Sequence, residues 1–285
     1  MSYSARITTF SKQAIVFLVD QSGSMSEPIS WHDGRSTKSA AVADVLNSTI
    51  GEIVARCNNY GEYKPYFDIA VLGYSGAGVR SLISEDKAFV SPAELAFSWI
   101  RKDETSSVRV LPNGKTIATC SNKKIWVESK ADGCTPMVGA FRRAYEILSG
   151  WIGARDSQQC IPPMVINITD GQATDGNHDK LVEVSLLLRS LATEEGGVVV
   201  MNVHISNLTT QSSVFPSVDN CPETGENDTR TLFEMSSDMP EFFEREIAEI
   251  SNVDNSPYKA FAYNASIADL VRMINIGSST TSLII

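Results

Sequence analysis

The sequence predicts an α/β fold, a doubly wound and mostly parallel central sheet flanked by helices, with an inserted β-hairpin region. Three observations carry this expectation. The strand candidates are continuously apolar, as in Ala14-Ile15-Val16-Phe17-Leu18-Val19, "PMVINIT" and "GGVVVMNVHIS". Such runs suit parallel strands covered on both faces, where alternation would mark a half-exposed sheet. Segments with helical spacing separate them. Finally, Asp20 and Asp170 each follow directly on such a run. Right-handed crossovers bring the carboxyl ends of parallel strands to one edge, where ligands bind near a topological switch point.

Taken in order, a first strand over about 14–19 leads into a polar loop and then "STKSAAVADVLNSTIGEIVARC". There Val42, Val45, Leu46, Ile50, Ile53 and Val54 recur at helical spacing and define one buried face. "YFDIAVLGYS" predicts a strand over roughly 66–74, with a shorter one at Val79 to Ile83. Residues 84–132 break the rhythm. "VRVLPNGKTIATC" reads as a hairpin around Pro112-Asn113-Gly114, and "KKIWVES" as a further short strand. The stretch is too polar to bury much core alone, so it is expected as an edge insertion in a single domain spanning 1–285, with its core at about 10–278.

"TPMVGAFRRAYEILSGWI" predicts a helix with Thr135 as N-cap, Pro136 at the first helical position and a buried stripe of Met137, Phe141, Ala144, Tyr145, Leu148 and Ile152. "DKLVEVSLLLRSLAT" places Leu181, Val184, Leu187, Leu188 and Leu191 on one face. Residues 207–230, rich in Thr, Ser, Pro and Asn, read as a long excursion. A helix near 240–250, a strand at "YKAFAY" and a helix at "SIADLVRMI" close the pattern.

Composition bounds the function. The 285 residues are 42% hydrophobic and 20% charged, ordinary values for a folded chain. A formal charge of −10, from 34 acidic and 24 basic residues without a basic stripe, opposes nucleic-acid binding. No apolar run is long enough to span a membrane. The opening "MSYSARITTFSKQ" lacks a signal-peptide core. Cysteines 57, 120, 134, 160 and 221 are odd in number and scattered, without a C-x-x-C pair. Reduced thiols and a cytoplasmic location are the expectation, with the cysteines acting as small buried hydrophobes.

The chemistry-bearing residues lie in three segments: Asp20-x-Ser22-x-Ser24, Thr135 and Asp170. Hard oxygen donors at a strand edge suit Mg2+ or Mn2+. Hydroxyls fill coordination positions without adding charge, so the ion stays electron-poor and able to take an outside carboxylate. Gly23 and Gly171 read as aids to tight turns beneath the ion. Asp175 reads as an exposed loop acid or as an accessory ligand.

"DQSGS", "GCTPM" and "NITDG" resemble the three loops of the metal-ion-dependent adhesion site of the von Willebrand factor A (vWA) family. The resemblance implies a Rossmann-like vWA fold and the metal ligands Asp20, Ser22, Ser24, Thr135 and Asp170. In that family the aspartate matching Asp170 often meets the ion through water, and a partner's Asp or Glu completes the shell. Over about residues 10–278 the chain is also similar to bacterial intracellular vWA proteins commonly encoded beside a PP2C phosphatase and a Ser/Thr kinase-like protein. The role implied by this resemblance is that of a scaffold or regulator in a kinase, phosphatase or ATPase system.

Other readings are weaker. A haloacid-dehalogenase-type phosphohydrolase would use Asp20 as nucleophile beside Mg2+, but it needs an acid two residues on, where this chain has Ser22. Extracellular adhesion is opposed by the missing secretion signal. There is no G-x-S-x-G elbow and no phosphate-binding glycine loop. Among the histidines, His204 reads as a hydrogen-bonded core residue and His178 as a helix cap. His32, with Trp31, reads as a solvated loop or a partner-facing rim.

Overall fold

The structure is a computed structural model that describes residues 7–8, 11–31, 34–110, 116–155, 160–206, 212–223, 227–251 and 256–278. The predicted hairpin tip Pro112-Asn113-Gly114, His32 and the Cys120 side chain lie outside the described residues, as do 207–211 and 224–226 of the predicted excursion.

The chain runs β1 (Lys12–Asp20), a 3-10 turn at Gly23–Ser26, β2 (Pro28–Trp31), β3 (Gly34–Thr37) and α1 (Lys38–Cys57). It continues through β4 (Asn58–Asn59), β5 (Glu62–Tyr63), β6 (Phe67–Ser75), β7 (Gly78–Ser81), α2 (Pro92–Leu95), β8 (Arg101–Val110) and β9 (Thr116–Ile125). Then come α3 (Met137–Gly153), β10 (Cys160–Thr169), α4 (His178–Arg189), β11 (Ala192–Thr193), β12 (Gly196–Gly197) and β13 (Val199–Ile205). The last elements are β14 (Ser213–Val214), α5 (Asn227–Met235), a 3-10 turn at Glu241–Phe243, α6 (Glu244–Ser251), β15 (Phe261–Ala265) and α7 (Ile267–Ser278).

Among the described residues seven strands form the central sheet, in the order β14-β15-β13-β10-β1-β6-β7. The five inner strands are parallel, and only the edge strands β14 and β7 run antiparallel to their neighbours. Strand β1 shows why its sequence did not alternate. Ile15, Phe17 and Val19 join the core with α1 and α7, while Ala14, Val16 and Leu18 join the core with α3 and α4. Both faces are dry, so both residue parities must be apolar. The sheet is doubly wound, as predicted. Among the described residues no helix is long and apolar enough to cross a membrane.

Helix α1 buries Val42, Val45, Leu46, Ile50, Ile53 and Val54, the face read from the sequence. The other helices need adjustment. On α3 Trp151 is buried, whereas Tyr145 and Ile152 are only partly so. On α4 Leu187 is 45% exposed, because Leu181, Val184, Ser185 and Leu188 already fill the stripe against the sheet. The expected excursion over 207–230 ends sooner than read: β14 lies within it and α5 begins at Asn227.

The insertion carries the expected hairpin, β8 paired antiparallel to β9 over ten register positions. "KKIWVES" is no separate strand, since Lys123 to Ile125 complete β9. The segment also contributes more core than expected, with Val90, Leu95, Trp126 and Val127 buried. Asn47, in the middle of α1, holds it: its Oδ1 accepts from the Trp126 and Val127 N–H groups at 2.8 and 2.9 Å, and its Nδ2 donates to the Val127 carbonyl at 2.8 Å.

Candidate functional site

Strand β1 lies between β6 and β10. The chain leaves β1 for β6 on one side and later returns to β10 on the other, so the crevice between the carboxyl ends of β1 and β10 is the topological switch point. Asp20 is the last residue of β1, and Asp170 follows the last residue of β10.

These two carboxylates and two serines form one hydrogen-bonded chain. Ser22 N–H donates to Asp20 Oδ1 at 2.8 Å, and the Thr169 hydroxyl donates to Asp20 Oδ2 at 2.7 Å. Ser22 Oγ and Ser24 Oγ lie 3.1 Å apart, and Ser24 Oγ donates to Asp170 Oδ1 at 2.7 Å. Asp20 is 1% exposed and forms no ion pair among the described residues. Burial pushes its carboxyl above the ordinary value, against the hydrogen bonds from Ser22 and Thr169, and the nearby Asp170 charge adds to the rise. Beneath it Tyr74 is raised well above its usual value by burial and then by the Asp20 charge. Tyr74 donates to Asn167 Oδ1 at 2.8 Å, and Asn167 Nδ2 donates to Asn202 Oδ1 at 2.9 Å. A buried polar ladder thus forms the floor of the crevice.

Thr135 is buried in the adjoining loop. That loop is bound to the first one by Gly23 N–H donating to the Gly133 carbonyl at 3.0 Å and by Asp132 N–H donating to the Gln21 carbonyl at 2.7 Å. The third loop joins through Thr174, whose hydroxyl accepts from Thr135 N–H at 3.0 Å. All three predicted segments therefore meet at one edge. The hydrogen-bonded chain links Asp20, Ser22, Ser24 and Asp170, with Thr135 in the neighbouring loop.

The predicted N-cap role of Thr135 is not realised. Helix α3 starts at Met137 without a capping bond from the residue before it. Asp175 takes the role from the third loop, accepting from Val138 N–H at 3.0 Å and Gly139 N–H at 2.9 Å. A carboxylate on the open N–H groups of a helix start is favourable for both hydrogen bonding and dipole. Asp175 is thus no free loop acid: both of its carboxylate oxygens are engaged at the start of α3. Helix α4 is likewise capped by Asn177, and His178 instead contacts Thr231 Oγ1 through Nδ1 at 2.9 Å and Glu234 through Nε2 at 3.2 Å. His204 is buried and stacked on Tyr263, as expected for a core histidine.

The tight backbone approach is not at Gly23 or Gly171. It lies between Gly133, with φ of +71°, and Gly76: a Cβ on Gly133 would stand 2.8 Å from the Gly76 Cα. Within the stretch read as a polar loop, β2 pairs antiparallel with β3, and the partly buried Trp31 donates from Nε1 to Asp44 Oδ2 at 3.1 Å. Of the cysteines, Cys57 and Cys160 are buried and Cys221 is half-buried, but Cys134 is exposed beside Thr135.

One residue at the site escaped the sequence reading altogether. Lys38, at the start of α1, places its ammonium 2.8 Å from Asp170 Oδ2 and 2.6 Å from Glu27 Oε2. Burial opposes its charge, but the hydrogen bonds to Asp170 and Glu27 outweigh that and hold the ammonium above its ordinary value.

Among the described residues no group of three or more His, Cys, Asp and Glu stands together. The site offers two carboxylates with hydroxyls between them, which is the donor chemistry of a hard cation such as Mg2+ or Mn2+ and not of zinc. A buried carboxylate with only neutral donors on its oxygens is what such an ion would neutralise.

No protein-family profile and no curated protein sequence matches the chain. Among solved structures it is similar to a von Willebrand factor type A protein from Catenulispora acidiphila, 13% identical, with 69% of this chain and 34% of that chain covered and a TM-score of 0.40. This chain therefore spans about a third of that protein's length. The SpRpn10 VWA domain is 10% identical over 70% of this chain and 77% of that one, with a TM-score of 0.41. The vWF domain of the type V pili tip protein Mfa5 from Porphyromonas gingivalis is 10% identical over 96% of both chains, with a TM-score of 0.47. The fold assignment rests on the strand order and register of this chain, and these proteins are likenesses to it.

Proposed function

We propose that this chain is a metal-dependent protein-binding module of vWA type, in which Asp20, Ser22, Ser24, Thr135 and Asp170 hold Mg2+ or Mn2+ and a partner's Asp or Glu completes the shell. The observation that carries the reading is the buried Asp20 carboxylate, joined to Asp170 through Ser22 and Ser24 at the switch point and, among the described residues, without a cation of its own. When bound, the ion supplies a Lewis-acidic position for an incoming carboxylate. The protein's part is orientation: the Thr169 hydroxyl and Ser22 N–H aim Asp20, and the Ser24 hydroxyl aims Asp170.

Binding is favoured over the dehalogenase-type alternative because position 22 lacks the carboxyl group that chemistry needs. In the dehalogenase-type alternative, residue 22 would be a carboxylic acid that protonates the leaving group. Here it is a buried serine whose Oγ faces Ser24 Oγ. The partner is proposed as another protein of the cytoplasm, from a Ser/Thr kinase, PP2C phosphatase or ATPase system, on the sequence resemblance alone.

Thermal melts test the metal. Mn2+ at a hundredfold excess over its dissociation constant stabilises the binding form by about 2.7 kcal/mol. The melting temperature of the chelator-treated protein is expected to rise on adding Mn2+, and that of Asp20→Asn to stay put. Equal rises in both proteins would remove the ion from this site. Affinity capture from native lysate with and without chelator then reads the partner, which should be lost with the ion.

A further inference from the structure

We propose that the Lys38 ammonium is a resident counter-cation of this site, which weakens divalent-ion binding and keeps the bound ion short of negative charge, so that it draws in an outside carboxylate. The inference rests on the metal-site reading.

Lys38 is in an unfavourable place for a cation. It is the first residue of a 20-residue helix, where the exposed N–H groups already carry positive charge. Its side chain is only 7% exposed. What holds it is carboxylate on two sides, Asp170 Oδ2 at 2.8 Å and Glu27 Oε2 at 2.6 Å, and its own N–H donates to the Glu27 carbonyl at 3.0 Å. Glu27 and Lys38 thereby close the base of the β2–β3 hairpin, whose Pro28 pairs with Thr37.

The consequence is a division of labour within Asp170. Its side chain is fully buried; Oδ1 faces the Ser24 hydroxyl, and Oδ2 is committed to Lys38. Of the two site carboxylates, Asp170 is matched by Lys38, and Asp20 has no cation partner among the described residues. Glu27 is 62% exposed, so solvent screens its contribution. An ion of charge +2 in this crevice meets one uncompensated buried carboxylate in place of two. It retains net positive charge, and the cheapest way to cancel that is a carboxylate from outside.

Mn2+ alone is the probe, titrated into the full chain by calorimetry. Lys38→Met is expected to bind Mn2+ about tenfold tighter, since a positive charge paired with Asp170, one of the residues that would hold the ion, is removed. A purely structural role for Lys38 predicts the reverse, because loosening Asp170 weakens binding. Glu27→Gln, a change on a side chain that is 62% exposed, unmasks Lys38 and is expected to weaken binding about threefold. Unchanged or weaker binding in Lys38→Met, or unchanged or tighter binding in Glu27→Gln, overturns the proposal while the wild type still binds. If the wild type takes up Mn2+ no better than Asp20→Asn does, the metal-site reading falls, and the Lys38 role with it.

Discussion

Two buried aspartates stand at opposite ends of adjacent parallel strands, and their surroundings differ. Asp68 lies near the start of β6, opposite Ala14 of β1; Asp20 ends β1, opposite Tyr74 of β6. Asp68 is 7% exposed and fully provided for: its Oδ2 accepts from Trp151 Nε1 at 3.0 Å and from Arg155 at 2.7 Å. The guanidinium in turn rests over the Trp151 ring, 4.3 Å from its centre. Asp20 is more deeply buried, yet among the described residues its hydrogen-bond donors, from Ser22 and Thr169, are all neutral. Burying a charge is costly unless it is paired. At the amino edge of the sheet the chain supplies the cation from its own sequence. At the carboxyl edge Lys38 pairs with Asp170, and Asp20 has no cation among the described residues.

The largest expected effect breaks this contrast directly. Arg155→Met leaves the largely buried Asp68 carboxylate without its cation and is expected to destabilise the fold by about 3 kcal/mol, the lower end of the cost of breaking a buried pair, because the Arg155 side chain is 31% exposed. Asp20→Asn removes a charge that has no cation partner among the described residues, and the amide oxygen still accepts from Ser22 N–H. In the presence of chelator it is expected to lie within about 0.5 kcal/mol of wild type or above it. Urea unfolding of both variants in chelator reads the comparison. A loss for Asp20→Asn as large as for Arg155→Met would mean that Asp20 is structural in the same sense as Asp68.

The sheet was legible because its strands are apolar at both residue parities, and the three site loops were legible because each follows a strand or precedes a helix with a strong periodic face. What escaped depends on contacts distant in sequence. A lysine opening a helix reads as a solvated charge, and nothing local reveals that Glu27 and Asp170, 11 and 132 residues away, surround it. Asp175 caps a helix that begins almost 40 residues earlier, so the N-cap was sought next to the helix, at Thr135. Helix α5 buries Leu232, Phe233 and Met235 within nine residues, too short a run for its period to stand out from the polar stretch before it. Asn47 reads as an interruption in an apolar helix face; its three hydrogen bonds to residues 126 and 127 appear only once the insertion is folded back.

A smaller effect sharpens the comparison at the carboxyl edge, where backbone packing does the work that Arg155 does at the other. Gly133→Ala forces a side chain onto a residue at φ +71° and a Cβ to 2.8 Å from the Gly76 Cα. The combined strain and overlap are expected to cost about 2 kcal/mol and to weaken Mn2+ binding, because the Gly133 carbonyl anchors Gly23 between Ser22 and Ser24. Gly23→Ala meets nothing closer than the Gly133 oxygen at 3.6 Å and should change stability by under about 0.5 kcal/mol. Equal losses in the two variants, measured by urea unfolding, would mean that the loop contact is not where the edge is held.

The smallest expected effect is chemical and uses thiols placed at the two edges. Cys57 closes α1 at the amino edge, and burial pushes its thiol up to about 12, so near neutral pH it is both covered and protonated. Cys134 is exposed in the loop at the carboxyl edge, one residue before Thr135. Alkylation of the folded protein, read by peptide mass mapping, should therefore label Cys134 well before Cys57 and Cys160, which react only as the fold opens. Mn2+ should slow labelling at Cys134 and leave the rate at Cys221 unchanged, because an ion held by Thr135 stiffens the loop that carries Cys134 and does not reach Cys221. A Cys134 rate indifferent to Mn2+ in a protein that binds it would place the ion clear of the second loop and remove Thr135 from the ligand set, leaving Asp20, Ser22, Ser24 and Asp170 to hold it.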